Sequence, residues 1–149
     1  MRERSPIQSA AMLVGLVFLL VGILGFIPGI TSNYDELKFA GHDSDAQLLG
    51  VFDTSILLNI VHLLLGVAGL ALARTYDGAR NYLIGGGVLC LALFLYGAIW
   101  GADEGRANWL PVNWADNVLH VALGAGMILT GLALARDVVR RDRTTAPAV

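Results

Sequence analysis

The sequence predicts an all-α fold: an integral membrane four-helix bundle made of two pseudo-symmetric helical hairpins, in one domain spanning residues 1–149. Apolar residues make up 56% of the chain and charged residues 15%, whereas a soluble domain carries about 25% charged residues. Four apolar runs, near residues 10–27, 55–73, 82–100 and 117–135, approach the roughly 20 residues that cross a hydrocarbon core. The third observation is an internal repeat. Asn59-Ile60-Val61-His62-Leu63-Leu64-Leu65-Gly66 returns as Asn117-Val118-Leu119-His120-Val121-Ala122-Leu123-Gly124, and both segments end on Gly-Leu-Ala-Leu-Ala-Arg, at 69–74 and 131–136.

The first run follows Arg2 and Arg4, as a signal peptide would, but Phe26-Ile27-Pro28-Gly29 is not a small-x-small cleavage site, so it reads as a retained span. Pro28 and Gly29 end it. An outer loop of about 25 residues then carries Asp35, Glu36, His42, Asp43, Asp45 and Asp53. Within it, Ser44-Asp45-Ala46-Gln47 matches a capping box. The second helix is therefore expected to start near Ser44 and to protrude, tilt or break near Gly50. A tight turn at 74–80 leads to the third run. Before the fourth, Asn113 reads as an N-cap with the acid Asp116 at the third helical position. Residues 144–149 read as a frayed tail.

Charge sets the orientation. Arg2, Arg4, Arg74, Arg80, Arg136, Arg140, Arg141 and Arg143 fall on one side of a four-span arrangement, and only Lys38 and Arg106 on the other. Cytoplasmic loops carry the excess of Lys and Arg, which places both termini on the cytoplasmic side of the membrane. Trp100, Trp109 and Trp114, with Tyr34, Phe39 and Phe52, are expected at the outer interface, and Tyr76 and Tyr82 at the inner one. The bilayer is the expected partner, with a second copy or another membrane protein as further possibilities. The short basic tail suits lipid headgroups, not nucleic acid.

No nucleotide-binding or zinc-protease motif occurs, the lone Cys90 excludes a paired-cysteine site, and no catalytic residue is assigned. Glycine stripes on the first run (Gly15, Gly22, Gly25, Gly29, with Gln8), the second (Gly66, Gly69), the third (Gly86, Gly97, Gly101, with Cys90) and the fourth (Gly124, Gly131) predict close helix approach. Asn59, His62 and Gly66 share one face of their helix, as do Asn117, His120 and Gly124. Polar groups at this depth face protein, not lipid. The leading expectation is a non-enzymatic structural or accessory role, with reciprocal hydrogen bonds from Asn59 to His120 and from Asn117 to His62 and with Asp116 beside them. The alternative is an electron-transfer protein binding haem b or a metal through His62 and His120, with Gly66 and Gly124 making room for the porphyrin. Proton or small-solute transport is a third reading. His42, with Asp43 and Asp45, reads as a solvated loop cluster able to lend ligands from outside.

Arg4-Ser5-Pro6, the stretch from Val21 to Gly29, Phe39-Ala40-Gly41-His42 and both Asn-His motifs resemble the bacterial membrane family catalogued as domain of unknown function 4383. The resemblance covers nearly the whole chain. It implies four spans and an actinobacterial-type source, and it brings no activity, ligand or catalytic residue.

Overall fold

A computed structural model describes residues 4–101 and 109–145, with side chains described as far as residue 135. Arg2, Arg106 and residues 146–149 lie outside the described residues, as do the side chains of Arg136, Arg140, Arg141 and Arg143. The chain forms four helices, α1 (Pro6–Leu24), α2 (Ile56–Leu72), α3 (Tyr76–Trp100) and α4 (Trp114–Thr145). Between α1 and α2 lie a 3-10 turn (Tyr34–Glu36) and strands β1 (Thr31–Ser32), β2 (Gln47–Leu48) and β3 (Phe52–Asp53), which pair antiparallel in that order.

Helix α1 starts at Pro6, where a missing N–H costs nothing. Gln8 closes this end twice over. Its Oε1 accepts from the Ser5 backbone N–H, and its Nε2 donates to the carbonyls of Ala73 (3.1 Å) and Arg74 (2.9 Å) just past α2. The Tyr76 hydroxyl donates to the Ala135 carbonyl (3.3 Å). The start of α1, the end of α2, the start of α3 and Ala135 of α4 therefore share one end of the bundle. At the opposite end α1 stops at Leu24, before the Pro28-Gly29 breaker, because the Thr31 hydroxyl reaches the carbonyls of Leu24 and Gly25.

Helix α1 packs along α2 and α3 along α4, and α1 also touches α3 and α4. Ile7, Ala11, Phe18, Leu83, Cys90 and Met127 lie in the core between them. The glycines permit the approach. A side chain at Gly15 would meet the α2 backbone at Gly66 and Gly69, and one at Gly22 would meet Leu63. Gly87 abuts the Gly124 carbonyl in the same way. Gly29, at φ +90°, lies in the turn that follows α1, where the backbone conformation and not crowding requires glycine.

Several expectations need correction. Helix α2 starts at Ile56, not near Ser44: Ser55 caps it through the Leu58 N–H, and Ser44 is a loop tie instead. The Ser44 hydroxyl donates to the Thr54 carbonyl (2.7 Å) and accepts from the Lys38 N–H, while Gln47 of the supposed box pairs in β2. Leu49 and Gly50 take positive φ, so the chain turns where a helix was expected. At 17 residues α2 is apolar but short, and among the described residues three helices, not four, are at least 18 residues long and apolar enough to cross a membrane. Asp53, in the outer loop, belongs to β3. Tyr82 is buried, with its ring against Gly69. Thr144 and Thr145 continue α4 instead of fraying.

Candidate functional site

The sheet lies across the bundle end that carries the starts of α2 and α4, and Asp116 fastens it there. Asn113 and Asp116 form the expected cap reciprocally: the Asp116 N–H donates to Asn113 Oδ1, and the Asn113 N–H to Asp116 Oδ2, both at 3.0 Å. The same Oδ2 accepts from the Asp53 N–H of β3, also at 3.0 Å. Asn113 adds a bond from Nδ2 to the Val51 carbonyl (2.7 Å). One carboxylate thus ends a helix and holds a strand.

Beneath the sheet is a cavity of about 110 Å³. Val21 and Leu24 of α1, Leu48 and Phe52 of the sheet, and Leu58 and Leu119 supply apolar walls. Asp53, Thr54, Asn59, His62, Asp116 and His120 supply the polar lining. Four of the five residues singled out from the sequence, Asn59, His62, Asp116 and His120, therefore meet at one place. Asn117 does not join them: it lies over Gly97 of α3.

The pairings differ from those expected. Neither Asn59–His120 nor Asn117–His62 is hydrogen-bonded: Asn59 Oδ1 and His62 Nδ1 have nearer partners, while the Asn59 amide nitrogen, Asn117 Oδ1 and His120 Nδ1 are buried without one. Asn59 Oδ1 accepts from the Thr54 hydroxyl (2.7 Å), and its amide sits over Gly25 of α1. His62 Nδ1 lies 2.7 Å from the Leu58 carbonyl one turn back, with its ring 5.8 Å from that of Phe18. A carbonyl only accepts, so Nδ1 carries the proton and Nε2 keeps a lone pair. His120 is 5% exposed, and its Nδ1 is buried without a partner. Among the described residues, Asp116 Oδ1, His62 Nε2 and His120 Nε2 are also free of protein partners.

These residues do not fit a haem. Gly66 and Gly124, expected to admit a porphyrin, are filled from their own hairpins. Leu19 and the Gly15 carbonyl press on Gly66, and Leu91 and the Gly87 carbonyl press on Gly124. Among the described residues no three His, Cys, Asp or Glu side chains converge as a metal set. His42 stays outside the cavity, in the loop, 3.2 Å from Asp43.

Sequence reasoning missed Thr54 and the sheet residues Leu48 and Phe52. Strands of two residues are too short to show an alternating pattern, so nothing in the sequence marked them.

The family described as Domain of unknown function (DUF4383) matches residues 8–133. The chain belongs to this family. The match takes in all of the cavity lining and both Asn-His motifs of this DUF4383 chain. No curated protein and no solved structure matches it.

Proposed function

We propose that this chain is a four-span protein of the bacterial inner membrane, with both termini in the cytoplasm and a structural or accessory role, not a catalytic one. One observation carries the reading: all four helices turn large apolar side chains outward. Leu13, Leu16 and Leu20 do so on α1, Leu64 and Val67 on α2, Val88, Leu95 and Ile99 on α3, and Val118 and Leu129 on α4. A soluble monomer rarely exposes contiguous apolar surface beyond a few hundred Å². The bilayer is the partner such a surface fits. Helix α2 belongs with the other three, because 17 residues is the lower end of the spanning range of about 17–25.

Arg4, Arg74 and Arg80 lie at the bundle end away from the sheet, which supports cytoplasmic termini. Trp100, Trp109 and Trp114, each exposed at the sheet end, suit the outer interface.

The close contacts support a parallel repeat of two hairpins about an axis along the membrane normal. Gly15, Leu19 and Gly25 of α1 do for Gly66 and Asn59 what Gly87, Leu91 and Gly97 of α3 do for Gly124 and Asn117. The offset is 72 residues for each of the first set and 58 for the second. The non-catalytic reading rests on the same geometry. Neither cavity histidine is hydrogen-bonded to a hydroxyl or thiol, and Cys90 lies in the core, outside the cavity lining.

Washing bacterial membranes with alkaline carbonate tests integration. The protein is expected to stay with the membrane pellet, and its release into the supernatant would contradict the proposal.

A further inference from the structure

The cavity under the sheet has a chemical bias beyond its structural part. Asp53 and Asp116 both line it, and no Lys or Arg does. Of the protein atoms left without partners there, Asp116 Oδ1 and His62 Nε2 with its lone pair accept hydrogen bonds, and the Asn59 amide nitrogen donates. His120, 5% exposed and without a hydrogen bond among the described residues, presents a third nitrogen able to take either role. A group that donates several hydrogens and carries positive charge complements this set. An anion would face two carboxylates.

The starts of α2 and α4 at the cavity favour negative charge, but only by about half an elementary charge each. Their first turns are already capped by Ser55 and by Asn113 with Asp116. The end of α1, which contributes Val21 and Leu24, has the opposite polarity and favours a cation. Phe52 adds an aromatic ring to the lining, a group type that attracts ammonium ions. The remaining walls are aliphatic and suit a short alkyl chain. A cavity of about 110 Å³ is smaller than the roughly 150 Å³ that admits benzene to an apolar pocket. The ligand is therefore a few carbons at most.

We infer that the cavity formed by Asp116, His62, His120 and Asn59 under the sheet binds a small alkylammonium ion. Its ammonium group donates to Asp116 Oδ1 and His62 Nε2, and its alkyl chain lies among Val21, Leu24 and Leu119. Failure of this inference would leave the membrane assignment untouched.

The test is equilibrium dialysis of radiolabelled propylammonium against the full chain in detergent micelles at pH 8. Two competitors accompany it: 1-propanol, the neutral isostere, and potassium chloride. Saturable binding is expected, resisted by 1-propanol at equal concentration and displaced only weakly by potassium. Asp116→Asn keeps an oxygen for the Asp53 and Asn113 N–H groups and removes the charge, and it should weaken binding at least tenfold. His120→Phe fills the cavity from α4 and should do the same, so either variant that retains helical circular dichroism decides the matter. Binding that does not saturate, that 1-propanol or potassium displaces equally well, or that survives in a folded variant would overturn the inference.

Discussion

Asn59 and Asn117 each spread a side-chain amide over a glycine of the neighbouring helix, Gly25 and Gly97. A methyl group at either glycine would overlap that amide, and overpacking of this kind costs about 1–3 kcal/mol. Gly25→Ala and Gly97→Ala should each lower the thermal unfolding midpoint in detergent. Adding Asn59→Ala to Gly25→Ala should recover part of that loss, whereas strictly additive losses would show that the amide is not the obstacle. Asp116 carries more than one bond. Replacing it with Ala strands the part-buried N–H groups of Asp53 and Asn113, and full burial of such an unsatisfied group would cost about 1–3 kcal/mol, an upper bound here. Hydrogen exchange should then quicken at the Asp53 amide, and an unchanged rate there would contradict the clamp. The spacing of Asn, His and Gly was legible because helical period alone puts these residues on one face. Their partners were not legible, because Thr54 and the Leu58 carbonyl lie closer than the opposite hairpin.

At the scale of elements, helix ends decide what the sequence reveals. The Asn113–Asp116 cap is local, spans three residues, and was readable as such. Ser44-x-x-Gln47 has the same pattern, yet the Ser44 hydroxyl is drawn to Thr54 and Lys38 and Gln47 enters a strand. A capping pattern nucleates a helix only when no competing partner takes its side chains. Gln8 shows a third case, where a polar residue in a glycine stripe closes α1 locally and binds the end of α2 sixty-five residues away. Gln8→Ala should destabilise the bundle by about 0.5–2 kcal/mol, the usual cost of losing a cap. Thermal melts against Gln8→Glu separate its two parts. Glu keeps the acceptor for Ser5 but cannot donate to Ala73 and Arg74, so it should remain destabilised.

For the whole molecule, composition and the positions of the apolar runs foretold a helical bundle, and four helices are found. The small sheet over one end was invisible, since its strands are only two residues each. What joins these levels is the claim that all four helices cross the membrane, with the sheet outside. Helix α2 is where that claim is most exposed, because its 17 residues, about 25 Å of helix at 1.5 Å per residue, are the fewest of the four. The most direct measurement is labelling of single cysteines at its two flanks, Lys38→Cys and Arg74→Cys, by a membrane-impermeant maleimide in spheroplasts with Cys90 replaced by Ala. The account predicts that position 38 is labelled in intact spheroplasts and position 74 only after lysis. Equal labelling of both positions before lysis would contradict a spanning α2, and with it the four-span protein.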